Sequence, residues 1–338
     1  MILMNDFKAE PPELREAMLQ ATSRVLESGW YVLGSEVKQF EQQWSRVCGV
    51  SHGIGVANGM DAIEIAILGL SIGEGDEVIT TPMTAFATIL AIIRSGAKPV
   101  LADIDLETAL LSTESVRRCL SPKTKAIVLV HLYGQVRQMD EWVKFCEENK
   151  IILIEDCAQA HLATWQGKVS GSFGQAGAYS FYPTKNLGAV GDAGMLVTSD
   201  STLAKKARRL RNYGQSERYL HPVIGMNSRL DEVQAAMLSE RMKWLLEFTK
   251  RRRQIADKYH SKIDNPYVKL LIKPEQKSAH VYHLFVITCL QRDALQTHLL
   301  KKGVQALIHY PIPVHQQKPC SEIVRDPNGL NNSEKHAS

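Results

Sequence analysis

The chain has 338 residues, 44% hydrophobic and 22% charged, with a net charge of +4, which supplies a packed core, excludes disorder for most of the length and suggests a large domain plus a smaller one. Basic residues are spread along the sequence, and the one concentrated run, KRRR at 250–253, lies inside a long helical pattern and reads as a solvated helix face, so no nucleic-acid partner is expected. No apolar stretch approaches the ~20 residues of a membrane span, and residues 1–4 lack the basic flank of a secretory signal, so a cytoplasmic protein without membrane contact is expected.

The first informative element is VANGMDA at 56–62, which opens the helical run AIEIAILGL. Amide groups freed at a helix start beside a glycine make an anion site, although Asn58-Gly59 is also an ordinary turn. Short apolar runs then alternate with amphipathic stretches: EVIT at 77–80, PVLAD at 99–103, AIVLVHLYG at 126–134 and IILIEDCAQ at 151–159. Crossover helices fit between them at 112–120 and 139–149. This pattern predicts an α/β fold, a mostly parallel sheet covered by helices. Asp103, Tyr133 and Asp156 close apolar runs, where such sheets gather functional groups.

Helical periodicity returns at 203–213 and over one long stretch from 230 to about 263. VYHLFVITCL, RDALQTHLLKKG and VQALIHYP then read as strand, helix and strand of a small α+β domain. The expected division is a large α/β domain at 1–249, a small domain at 250–319 and a polar tail at 320–338. Six scattered cysteines contain no CxxC pair and are expected to stay reduced. His280 and His283 have a possible ligand spacing but no carboxylate or cysteine beside them, so no metal is expected.

Two residues carry the chemistry. Asp156 ends the most apolar strand, where a carboxylate is poorly solvated and wants a cation. That cation is either some arginine or the protonated ring nitrogen of a cofactor. Lys185 lies in AYSFYPTKNLGAVGDAG at 178–194, after an apolar strand broken at Pro183. Aromatic and apolar neighbours would lower its pKa and free a neutral amine for Schiff-base chemistry, whereas an exposed loop lysine is the ordinary alternative. The order of a helix start at Gly59, an aromatic at Phe86, a strand-end Asp156 and then Lys185 favours the cofactor.

SFYPTKNLGAVGDAG, EDCAQAH, VHLYGQ, SGWYVLG, RNYG, NSRLDEVQAA and IHYPIPVH together resemble the DegT/DnrJ/EryC1/StrS sugar aminotransferases. The likeness runs from about residue 5 to 315. With NDFKAE, VANGMDA and NYGQSERY, it looks most like the branch that aminates C3 of dTDP-3-keto-6-deoxyhexoses. It implies a fold-type I aminotransferase (aspartate aminotransferase-like) using pyridoxal 5'-phosphate (PLP, cycling with PMP), with glutamate as amino donor and a dTDP-keto-sugar as acceptor. In that likeness Lys185 anchors the cofactor and moves the proton. Asp156 meets the pyridine nitrogen, Phe86 stacks on the ring, Gln159 approaches the ring hydroxyl, and Gly59, Met60 and Ser180 hold the phosphate. Asn227 would arrive from a second subunit, making a homodimer with shared sites. Tyr31, Tyr182, His309, Tyr310 and His315 are the substrate candidates.

Three other readings stand beside this one: a C4-specific enzyme of the family, a PMP-dependent dehydratase, which Lys185 argues against because that branch replaces the lysine by histidine, and a regulatory relative that keeps the fold. Relatives typically continue through further helical segments past the stretch matching HYPIPVH. Here CSEIVRDPNGLNNSEKHAS reads as a frayed or disordered tail. The small domain is therefore expected to be shortened, with a cost in stability or activity. Met60 and Cys157 depart from common family residues at positions where little consequence is expected.

Overall fold

The structure is a computed structural model that describes residues 1–338. Two helices lead in, α1 (Pro12–Ser28) and α2 (Ser35–Cys48). α1 begins with proline in its first turn and ends at Gly29, whose φ of 64° suits glycine. Strands and helices then alternate: β1 (His52–Val56), α3 (Gly59–Gly69), β2 (Glu77–Thr80), α4 (Phe86–Arg94), β3 (Lys98–Leu101), α5 (Thr113–Cys119), β4 (Thr124–Val130), α6 (Met139–Asn149) and β5 (Ile152–Asp156). A small hairpin, β6 (Thr164–Trp165) and β7 (Lys168–Val169), precedes β8 (Ala176–Ser180), β9 (Gly194–Thr198) and α7 (Ser201–Leu210).

The strands form one eight-stranded sheet in the order β1-β9-β8-β5-β4-β2-β3-β12, where β12 is Val324–Arg325. Only β9 opposes its neighbours; every other pairing is parallel. The central strands are apolar on both faces. Val78, Ala126, Val128 and Ile154 pack under α3 and α7, while Ile79, Ile127, Leu129 and Leu153 pack against α5 and α6. A third core joins α2 to the far side of β8 and β9 through Phe40, Trp44, Tyr179 and Phe181. Strands buried on both sides need near-continuous apolar sequence, which is why the runs at 77–80, 126–134 and 151–159 were visible.

The expected long helix is two, α8 (Glu232–Met242) and α9 (Leu245–Lys262). They part at a turn in which the Trp244 amide donates to Arg241 O. No glycine or proline marks the break, so periodicity carried straight across it. The basic run within α9 also differs from expectation. Lys250 and Arg251 are exposed, but Arg252 and Arg253 are only partly so, and they donate to backbone carbonyls at 278, 280, 282 and 283. They clamp a segment rather than face water.

After α9, in whose span the expected division at 249/250 falls, come β10 (Val268–Leu270), β11 (Ile287–Cys289) and α10 (Arg292–Lys301). β10 and β11 pair antiparallel. The strand expected at VQALIHYP is absent: Val304 makes an isolated bridge to Ile2, and the following prolines at 311 and 313 deny the ladder its donors. Likewise only Ile287–Cys289 of VYHLFVITCL is strand.

Residues 320–338 are not a frayed tail. They supply β12, which pairs parallel to β3, and α11 (Asn331–Ala337). Cys320 and Leu330 pack with Ile89, Leu101 and Val314. Asp326 is buried, taking hydrogen bonds from Arg118 Nη2 at 2.6 Å, Arg118 Nε at 2.9 Å and the Ser115 hydroxyl. At the start of α11, Asp103 accepts from the amides of Asn332 at 2.8 Å and Ser333 at 2.9 Å and from the Ser333 hydroxyl at 2.5 Å. The segment is polar because the buried carboxylate of Asp103, just after β3, and its own Asp326 hold it, a tertiary reason that local composition does not show. Replacement Asp103→Ala leaves these donors unmet and is expected to lower the unfolding free energy by about 2–3 kcal/mol. Urea unfolding measures this, and an unchanged midpoint would count against the anchor.

Candidate active site

The carboxyl edge of the sheet gathers most of the chemistry-bearing residues. α3 begins there, with Asn58 extended at the cap and its side chain accepting from the Asp61 amide at 2.8 Å. The first-turn amides of Gly59 and Met60 have no intrahelical acceptor. Gly59 lies against the end of β8 so closely that an added Cβ would sit 2.7 Å from Ser180 Cβ. Only glycine allows that approach, so the helix mouth and the Ser180 hydroxyl share one concave spot suited to an anion.

Asp156 ends β5 and is 6% exposed. Its Oδ2 accepts from the Thr88 hydroxyl at 2.8 Å, and Thr84 and Thr88 are themselves 2.8 Å apart. Its Oδ1 accepts from the Ala158 amide at 3.1 Å. No arginine or lysine forms an ion pair with it. The arginine-paired alternative raised by the sequence is thereby removed. Phe86 begins α4, two residues before Thr88, and stays partly exposed at 39%. The helix that steadies Asp156 therefore also presents the aromatic ring at its opening turn.

Lys185 lies in the excursion between β8 and β9, where its amide donates to Tyr182 O at 2.8 Å. Burial pulls its ammonium below the ordinary 10.5, and the charge of Asp156 opposes that shift. The surroundings are neutral imidazoles. His161 is pushed down to about 3 by burial and by Lys185, His283 is held well below 6.5 by burial and Lys185, and His309 is lowered by the same two causes. None competes as a cation, so the lysine is not the solvated loop residue of the ordinary alternative.

Gln159, one turn past Asp156, accepts from the Tyr133 amide at 2.6 Å and donates to Tyr310 Oη at 3.3 Å. Burial, and then the charge of Asp156, push the Tyr310 phenol up to about 12, so it remains a neutral donor and acceptor. Tyr182 lies beside Lys185 and is 52% exposed. His283 and Asn186 are joined at 3.1 Å, and Asn186 donates to Val281 O at 3.2 Å. Arg252 holds the His283 carbonyl at 3.2 Å, so α9 fixes the residue beside Lys185.

Three expected site residues stand apart. Tyr31 is exposed, its carbonyl accepting from the Glu232 amide at 3.2 Å. Asn227 is exposed and bridges to Asn212. His315 is buried, with Nε2 on Glu334 at 2.9 Å and Nδ1 enclosed without a partner. The Nε2 contact ties this imidazole to α11 through the chain's own carboxylate and leaves Nδ1 as its one unengaged nitrogen. Conversely, Thr88, Asn186 and Arg252 were missed. Thr88 stands two residues after Phe86 in AFAT, but its partner Asp156 is 68 residues further on, so nothing local marked it; Arg252 carried no signal beyond its basic neighbours.

His131, Glu155 and Cys157 also lie within metal-ligand reach of one another. Glu155 is already saturated, however, by His131 Nε2 at 2.9 Å and by the amides of Gly171, Phe173 and Gly174 at 2.7 to 2.9 Å. This carboxylate braces the loop before β8.

A model of the DegT/DnrJ/EryC1/StrS aminotransferase family matches residues 12–338. The chain belongs to that family. It is a PLP-dependent sugar aminotransferase by descent, and three comparisons bracket it. The dTDP-3-amino-3,6-dideoxy-alpha-D-galactopyranose transaminase of Aneurinibacillus thermoaerophilus is 45% identical over 322 residues, covering 95% of this chain and 88% of that protein. The pleiotropic regulatory protein of Geobacillus stearothermophilus is 40% identical over 336 residues, 99% of this chain and 90% of that one. DesV of S. venezuelae, solved in complex with a ketimine intermediate, superposes with a TM-score of 0.95 at 39% identity, covering 99% and 91% of the two chains. The α/β aminotransferase fold and the large, mostly parallel sheet expected from sequence are those shared with DesV.

Burial of Lys185 has a measurable sign. Between its lowered folded value and 10.5 the unfolded chain holds a proton that the folded aminotransferase lacks. Stability therefore rises with pH through that window and falls as pH drops. In cofactor-free protein, Lys185→Met is expected to be more stable than the parent at neutral pH, with the gap closing as pH approaches 10.5. Thermal melts across pH test it, and a gap independent of pH would contradict the buried-amine assignment.

Proposed function

We propose that the protein transfers an amino group from an amino acid, glutamate in our reading, to C3 of a dTDP-linked 3-keto-6-deoxyhexose, giving the 3-amino-3,6-dideoxy sugar, and that it does so in the cytoplasm. The observation that carries the cofactor assignment is Asp156, a buried carboxylate with a hydroxyl and an amide but no arginine. It shares a field with Lys185, whose ammonium burial destabilises and Asp156 in turn supports. Support for C3 comes from the dTDP-3-amino sugar transaminase similar over nearly the whole chain. No helix is long and apolar enough to cross a membrane.

PLP, when bound, supplies an electron sink that makes the proton on an amine-bearing carbon labile. The residues around it do the rest. Gly59 and Met60 amides with the Ser180 hydroxyl take the phosphate, and the Gly59 contact leaves the room for it. Asp156 keeps the pyridine nitrogen protonated, Phe86 covers a ring face, and Gln159 lies toward the ring hydroxyl. Lys185 anchors the cofactor and, as a neutral amine, takes a proton from the donor carbon and returns one to the other reacting carbon. Tyr182, His309, Tyr310 and Tyr31 offer flat surfaces and hydroxyl or imidazole groups to the sugar and nucleotide.

The exposed positions of Asn227 and Tyr31 fit a homodimer in which Asn227 completes the phosphate site across the interface. The same surface carries Trp30, Tyr213, Tyr219, Leu220 and Ile224, the last 96% exposed, apolar area that a second subunit would cover.

Two experiments decide these points. Purified protein supplied with PLP, glutamate and either dTDP-3-keto or dTDP-4-keto sugar is expected to place nitrogen at C3, as located by NMR of the product; an amine at C4 would overturn the regiochemistry. Failure to take up PLP would instead favour a regulatory role like that named for the Geobacillus relative. Mixing inactive Lys185→Ala with inactive Asn227→Ala subunits is expected to restore about a quarter of the parental rate if sites are shared. No recovery after subunit exchange would mean that each chain builds its own site.

A further inference from the structure

Tyr133 and His336 have no role in the reading above, yet they join the carboxy-terminal helix to the site. Tyr133 follows β4, is fully buried and has a φ of 61°, a left-handed conformation that a non-glycine residue keeps only when its surroundings hold it. Its amide donates to Gln159 Oε1 at 2.6 Å, Gln159 Nε2 donates to Tyr310 Oη at 3.3 Å, and the Tyr133 hydroxyl donates to His309 O at 2.7 Å. Residues 133, 159, 310 and 309 thus form a closed ring of contacts just past Asp156 in the loop that carries Gln159.

His336 of α11 stands just outside that ring, with Nε2 at 3.0 Å from the Tyr133 hydroxyl. The hydroxyl has one proton, committed to the His309 carbonyl. His336 therefore donates from Nε2, which leaves Nδ1 bare, and Nδ1 is buried with no partner. Burial lowers the His336 pKa and keeps the ring neutral in this tautomer. The bond is not needed to dock the helix. α11 is already held by Asp103 at its start, by His315 on Glu334 at 2.9 Å and by Arg292 on the Ala337 carbonyl at 2.6 Å. A histidine reaching past these anchors to a tyrosine hydroxyl acts on what that hydroxyl holds.

We propose that His336 is a positioning residue for sugar binding: by donating to the Tyr133 hydroxyl it fixes the direction of the bond to the His309 carbonyl and so sets the placement of His309 and Tyr310. This rests on the reading of His309 and Tyr310 as substrate contacts. His336 touches neither cofactor nor sugar and acts only through Tyr133. Its effect belongs in sugar affinity, not in the proton transfers at Lys185.

The test compares His336→Phe, which removes the donor, His336→Gln, which keeps an N–H donor in a similar place, and Tyr133→Phe, which keeps the ring and loses the hydroxyl. His336→Phe and Tyr133→Phe are each expected to raise KM for the keto-sugar about fivefold, the value of one net hydrogen bond, with kcat and the donor KM unchanged. The double variant should be no worse than either single one, and His336→Gln should restore the parental KM. In cofactor-free protein, amide exchange at 309–310 should quicken in His336→Phe and not in His336→Gln. A lowered melting temperature with unchanged KM and exchange would show a packing role and overturn the proposal, as would additive effects in the double variant. If the parent does not aminate the keto-sugar, the functional reading fails, and the exchange measurement still decides whether His336 holds the 309–310 segment.

Discussion

A buried carboxylate without an arginine organises this molecule. Asp156 sits at the end of the central strand β5, where water is excluded and an isolated negative charge is expensive. The fold answers with a hydroxyl from Thr88, an amide from its own turn and a nearby lysine. Each partner arrives from a different part of the chain: the first turns of α4, the loop after β5 and the excursion between β8 and β9. The positions of α4 and of that excursion are therefore matters of electrostatics as much as of packing.

Around that centre the structure repeats one device, a side chain that spends its hydrogen bonds on backbone. Glu155 points to the opposite face of β5 from Asp156 and braces the loop before β8 through three amides. Arg252 and Arg253 hold four carbonyls in the segment 278–283, which in turn holds Asn186. Irregular backbone is thereby given definite geometry where no sheet ladder reaches. The lysine's immediate neighbours are set by α9, a helix distant from it in sequence.

How much of this was legible in the sequence follows from where the information sits. β2 at 77–80 and the strands within 126–134 and 151–159 were visible because they are buried on both faces, and α5 and α6 because local periodicity marks them. Lys185 and Asp156 stood out as polar residues at the ends of apolar segments. The break between α8 and α9 was invisible, since nothing at 243–244 departs from helical chemistry. The segment 320–338 was misjudged for the opposite reason: its polar residues look disordered alone and become necessary once Asp103, Ser115 and Arg118 are opposite them. His315 was placed by its motif, and only the three-dimensional contact shows that its Nε2 is taken by Glu334 while Nδ1 is buried without a partner.

β12 bears on how the chain reaches this state. Without residues 324–325, β3 is a bare sheet edge whose Val100 and Leu101 backbone faces no partner. Ribosomal synthesis delivers every other strand of the main sheet before this one. For that interval the emerging large domain carries an open template for pairing with another chain, closed only after β12 has followed the rest of the sheet out. Capping the edge with the strand that follows all the others ties escape from aggregation to the emergence of β12, and it makes that short strand a guard on solubility as well as a part of the fold.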